Sequence, residues 1–158
     1  MGAGILPITL YKNDLYLLFS KEYKNHKGHV DWRDFGGTPE NNETPKQTAI
    51  REGWEESSGF LGNKKDIKNL IENNLVSKVT NKGYTVYIVL IDYDKNLPAK
   101  FRKHFLNMYK KDKSKIYKNG YYEKSHLKWI KVSELKKNMH LFTSWYKEIV
   151  KKIYGKLK

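Results

Sequence analysis

Between Gly37 and Phe60 the chain reads GTPENNETPKQTAIREGWEESSGF, a Gly-rich turn followed by a helical pattern that puts three glutamates on one side. At about 100° per residue, Glu52, Glu55 and Glu56 stand at i, i+3 and i+4 and share a face, while Ile50, Gly53 and Trp54 turn toward a core. Carboxylates this close repel, and a hard divalent cation bound through oxygen relieves the repulsion. Magnesium is the natural candidate, with manganese as a substitute. The helix has a legible start: Thr44 caps it, Pro45 suits its first position, and Gln47 completes a capping box.

The spacing of Gly37, Glu43, Arg51-Glu52 and Glu55-Glu56 resembles the Nudix hydrolase signature G-x5-E-x7-R-E-U-x-E-E-x-G-U, in which U is a bulky apolar residue. Two positions depart from it. Gly53 stands where the apolar residue belongs, at about 1 kcal/mol against alanine in a helix interior, and Ser58 stands where the closing glycine belongs, with Gly59 one residue later. The resemblance implies an α/β/α sandwich around a mixed β-sheet. It also implies hydrolysis of a nucleoside diphosphate linked to another moiety, with water attacking a phosphorus of the pyrophosphate bridge and magnesium neutralising the phosphate oxygens. By the same resemblance Glu52, Glu55, Glu56 and the carbonyl of Gly36 hold metal, and Glu43 and Arg51 support the loop and helix. Glu123, ahead of Trp129, resembles the family's loop glutamate, a base or extra ligand. Trp32, Arg33, Phe35 and Trp129 are candidates for a nucleobase pocket. Homodimers are common in the family.

At 158 residues, one domain over 1–158 is expected. Cysteine is absent, which excludes disulfides, thiolate zinc sites and a cysteine nucleophile. The longest apolar run, Val86 to Ile91, is strand-sized, and no signal-peptide pattern opens the chain. A soluble cytoplasmic protein without membrane contact is expected. The net charge is +14, nearly all of the positive charge being lysine. Attraction of polyanions and an AT-rich coding genome explain that equally well. Taken as function, the charge favours capped RNA, and so mRNA decapping, over dinucleoside polyphosphates, diphosphoinositol polyphosphates or non-standard nucleoside triphosphates. A catalytically silent RNA- or nucleotide-binding module is the alternative of a different class.

Along the chain, Ile5–Tyr11 and Leu15–Ser20 read as a hairpin turning at Asn13-Asp14, and Val30–Phe35 as a strand delivering the Gly36-Gly37 turn. A helix is expected over Lys64–Asn73, strands over Leu75–Thr80 and Tyr84–Tyr93, and a helix from Pro98 to about Lys110. Leu127–Val132 reads as a last strand and Phe142–Tyr154 as a helix with Phe142, Trp145, Ile149, Val150 and Ile153 inward. From Lys110 to Lys124 an exposed loop is expected, and its lysines interleaved with Tyr109, Tyr117, Tyr121 and Tyr122 suggest an RNA track. Among the histidines, His26 and His29 are expected at the surface and His126 near substrate.

Overall fold

The order of elements follows from alternation along the strands. In the computed structural model, which describes residues 1–23, 31–115 and 123–158, the first strand, β1, covers Gly2–Tyr11 and sends Ile5 to one face of a sheet and Leu6 and Ile8 to the other. The other strands are β2 (Asp14–Glu22), β3 (Trp32–Arg33), β4 (Phe35–Gly37), β5 (Leu75–Asn81), β6 (Tyr84–Leu90) and β7 (Lys124–Lys131). The helices are α1 (Pro45–Glu56), α2 (Lys64–Asn73), α3 (Leu97–Lys111) and α4 (Ser144–Leu157).

These seven strands form one mixed sheet: β1 and β6 run parallel, and every other pairing is antiparallel. Strand β1 exchanges neighbours along its length. Its end, Ile8–Tyr11, pairs with β2, whereas its beginning, Ala3–Ile5, pairs with Gly37–Phe35 of β4. Two layers of apolar side chains follow from the alternation. Leu6, Ile8, Leu17, Phe19 and Val86 pack against Tyr146, Ile149, Val150 and Ile153 of α4. Ile5, Leu18, Phe35 and Val89 pack against Ala49 of α1, Ile67 and Ile71 of α2 and Phe101 of α3. The result is an α/β/α sandwich.

Two hairpins turn through left-handed residues, Lys12-Asn13 (φ 49° and 66°) between β1 and β2, and Lys82-Gly83 (φ 48° and 82°) between β5 and β6. The first turn thus lies one residue earlier than Asn13-Asp14, since Tyr11 already pairs with Asp14. Gly36 and Gly37 sit in strand β4 rather than in a turn. Helix α3 extends through Lys111, Lys113–Lys115 form a 3-10 turn and Lys124 opens β7, so these lysines belong to regular elements rather than to a loop. Tyr117, Tyr121, Tyr122, His26 and His29 lie outside the described residues. Among the described residues, no helix is long and apolar enough to cross a membrane.

Helix α1 lies close on the sheet because of Gly53. A Cβ there would stand 2.8 Å from Cγ2 of Ile5, so the departure from a bulky residue is a packing requirement of this interface. At the helix exit Ser58 takes the left-handed conformation itself (φ 51°), followed by Gly59 (φ 78°). Serine therefore does at this position the work usually given to glycine.

Candidate active site

Helix α1 starts as its sequence demands. Thr44 accepts a hydrogen bond from the Gln47 amide, and the Gln47 side chain accepts one from the Thr44 amide. The helix runs beside β4 in such a way that the Gly36 amide donates to Oε1 of Glu56 at 2.7 Å. Gly37 is packed equally tightly, since a Cβ on it would fall 2.5 Å from Oε1 of Glu52. The glycine pair thus lets backbone meet carboxylate directly.

Arg51 gathers the surrounding acids. Its guanidinium donates to both oxygens of Glu43 (2.9 and 3.0 Å), to Glu52 (3.0 Å), to Glu55 (3.2 Å) and to the carbonyl of Thr38 (2.9 Å). The bidentate bond from Arg51 holds the Glu43 carboxyl down to about 2. Burial does the opposite to Glu52, pushing it up to about 7 against the pull of Arg51, with Glu55 and Glu123 adding repulsion.

Glu56 is not on an exposed helix face, as the helical wheel suggests, but is 2% exposed. Its carboxyl is raised well above the ordinary range, first by burial and further by Glu52 and by a hydrogen bond with Glu123, against the attraction of Lys124. Carboxylate oxygens of Glu22, Glu56 and Glu123 lie within 4.8 Å of one another. Lys124 Nζ stands 3.8 Å from Glu56, and Arg33 stands 4.0 Å from Glu22 and 3.5 Å from the Gly36 carbonyl. Behind them, the fully buried Asp34 accepts a hydrogen bond from the Tyr84 hydroxyl at 2.9 Å. Desolvation raises the Asp34 carboxyl, opposed by Arg33 and Tyr84.

These groups open on a cavity of about 540 Å³ whose lining includes Glu22, Glu52, Glu56, Glu123, Arg33 and Trp145. The donor set is all oxygen, carboxylate and carbonyl, which suits a hard divalent cation rather than zinc in a sulfur site.

Structures of known proteins share this architecture. The Ap4A hydrolase of C. elegans, solved as a binary complex, superposes with a TM-score of 0.56 over 99% of this chain and 96% of its own, at 14% identity. The fold is that of a Nudix domain. The NUDIX domain of Shewanella oneidensis NrtR, complexed with ADP ribose, gives 0.55 over 99% of this chain and 87% of its own at 13% identity. A bifunctional NMN adenylyltransferase/ADP ribose pyrophosphatase from Francisella tularensis, complexed with AMP and a manganese ion, gives 0.57 at 21% identity, over 98% of this chain and 41% of its own. Neither a family model nor a curated protein sequence matches the chain.

Within the Nudix fold, the residues singled out from sequence divide into three groups. Gly36, Arg33, Glu52, Glu56 and Glu123 border the cavity. Glu43, Arg51 and Glu55 stand beside it in one ion-pair network. Phe35 has no exposed surface and belongs to the core beneath α1, so it offers no face to a ligand. Trp129 is turned the same way and donates to the carbonyl of Asp94 at 3.0 Å, while Trp32 packs toward the α4 layer. Neither is among the cavity residues.

His126 is pushed down to about 4 by burial and by Arg102 and Lys21, and it too lies outside the cavity. Trp145 reverses its expected role, being 45% exposed at the cavity while its neighbour Tyr146 is buried. Glu22, Lys124, Asp34 and Tyr84 carried no local signal, because strand register alone brings them here.

Proposed function

We propose that this Nudix domain is a divalent-metal-dependent pyrophosphohydrolase acting on a nucleoside diphosphate linked to a second moiety. The observation that carries this reading is the convergence of Glu22, Glu56 and Glu123 within 4.8 Å, beside Glu52 and in one cavity. Four acids around a shared space are poorly explained as a binding surface for a polyanion. They are well explained as ligands that a cation makes tolerable.

Glu52, Glu56 and the Gly36 carbonyl would hold magnesium or manganese, and Glu55 would join them on leaving Arg51. The bound metal supplies charge neutralisation on the phosphate oxygens and lowers the pKa of a bound water. Arg33 meets phosphate oxygens from the side of β3. Glu123 takes the proton of the attacking water, the new P–O bond forms, and the bridging oxygen departs with the other phosphoryl group.

Charge supports a polyanionic substrate, and capped RNA is one candidate on that ground. The names of the structural neighbours, an Ap4A hydrolase and a NUDIX domain complexed with ADP ribose, support small nucleoside-diphosphate derivatives as a second. The test is hydrolysis with magnesium of diadenosine tetraphosphate, ADP-ribose, capped RNA, a diphosphoinositol polyphosphate and nucleoside triphosphates. Cleavage of at least one, lowered on the order of 10²–10³-fold by Glu56→Gln, is the expected result. No cleavage of any, or full turnover in Glu56→Gln, overturns the reading.

A further inference from the structure

The cavity has an aromatic part that the proposed chemistry does not use. Trp145 lies in the first turn of α4, where Tyr146, Ile149, Val150 and Ile153 already supply the buried face. Its indole is therefore spare for packing, and 45% of the residue remains open. It is nevertheless held in place. The Arg33 guanidinium carbon stands 5.2 Å over the ring, and the rings of Tyr84 and Tyr146 meet it edge-on at 5.5 and 5.4 Å. Tyr84 is in turn fixed by its hydrogen bond to the buried Asp34, and Tyr146 accepts from the Asp34 amide at 3.1 Å.

An exposed indole held by T-shaped contacts with two anchored tyrosines is a preorganised apolar surface at the mouth of a charged cavity. Arg33 connects it to the acids, because the same guanidinium that covers the indole reaches toward the Gly36 carbonyl and Glu22. From Trp145 to Glu56 the lining thus passes from a stacking surface, through a cation, to carboxylates.

We propose that Trp145 is the stacking platform for the nucleobase of the substrate, with Arg33 placed to meet the phosphate attached to that nucleoside. The inference rests on the phosphohydrolase reading and narrows it: the substrate carries a base, and base-free polyphosphates such as diphosphoinositol polyphosphates lack the group this surface takes. A base stacked on an aromatic side chain contributes about 1–3 kcal/mol by alanine substitution, which corresponds to roughly five- to 150-fold in affinity.

The experiment compares AMP with ribose 5-phosphate, which differ only by the base, using the full chain and titration calorimetry in the presence of magnesium. AMP should bind at least about tenfold more tightly than ribose 5-phosphate. Trp145→Ala should remove most of that difference and leave ribose 5-phosphate unchanged, and Trp145→Phe should retain much of it. Because Trp145 is half exposed, both variants should melt close to the wild-type temperature, and Trp145→Leu provides an apolar control of similar bulk. Equal binding of AMP and ribose 5-phosphate by the wild type, or unchanged AMP affinity in Trp145→Ala, overturns the proposal. So does an equal loss of both ligands.

Hydrolysis of the substrate panel is followed separately. Turnover that survives without any base preference sinks the stacking site and leaves the phosphohydrolase standing. Loss of AMP affinity in Trp145→Ala without turnover of any substrate does the reverse.

Discussion

Lys124 Nζ lies 3.8 Å from Oε1 of Glu56, and neither side chain has appreciable contact with solvent. Among the described residues, Lys124 Nζ has no hydrogen-bond partner. The ammonium is therefore held opposite Glu56 by charge and by the start of β7, and it does inside the fold part of what a bound cation is expected to do at its edge. Removing one member of a buried pair strands the other, at about 3–5 kcal/mol. Lys124→Met should lower stability by about that much in urea denaturation. The double variant Lys124→Met/Glu56→Gln should recover most of the loss, and simple additivity of the two effects would show that the pair is not coupled.

The raised carboxyl of Glu52 gives a pH dependence with a definite sign. A folded-state value of about 7 means that the fold retains a proton which the unfolded chain loses near about 4.5. Stability of the metal-free chain contributed by this group therefore falls as pH rises from about 4.5 to about 7. A divalent cation competes with that proton, so its stabilising effect should grow over the same interval. Melting temperatures with and without magnesium, from about pH 5 to about pH 8, check this. A magnesium shift of the same size at both ends would contradict it, and Glu52→Gln should reduce the pH dependence.

Glu43 has the opposite sign. Arg51 holds it near about 2, so its contribution is present above about 4.5 and is lost as pH falls toward about 2. Glu43→Gln should destabilise by about 1.5–3 kcal/mol, the range for hydrogen bonds to charged groups. The loss should shrink when wild type and variant are compared in denaturant at about pH 3. A loss that is independent of pH would mean that the shape of Glu43, and not its charge, supports the loop.

Gly53→Ala tests the closeness of α1 to β1. In an exposed helix interior this exchange stabilises by about 1 kcal/mol. Here the added methyl would stand 2.8 Å from Ile5 Cγ2 in a core strand, so a net loss is expected. A gain in melting temperature would show that the sheet yields at no penalty.

What could be read from the chain was what is decided locally. The capping box Thr44–Gln47 and the bounds of α2 are set by neighbours within a turn, and both appear where expected. Gly2–Gly4 were not legible as strand, because their extension comes from pairing with β4 and β6 and not from β propensity. Helical period placed Glu56 beside Glu52 and Glu55 but gave no sign that β4 closes over it. In α4 the period could not choose between Trp145 and Tyr146, adjacent aromatics of which only one fills the core. Glu22 and Tyr84 reach the cavity, and Lys124 and Asp34 the buried ground behind it, from β2, β6, β7 and the link between β3 and β4, and nothing short of the sheet register brings them together.

The contact between Gly53 and Ile5 also bears on how such a chain can drift. A helix seated this close leaves no room for a larger residue at 53 unless the side chain at 5 gives up its Cγ2 methyl, and trimming Ile5 first opens a void under α1. Each single step is expected to be penalised and the pair to be compensating, so the two positions should change together. Relatives that carry a bulky residue in place of Gly53 should therefore show a smaller one in place of Ile5, a paired exchange that an alignment of homologues checks.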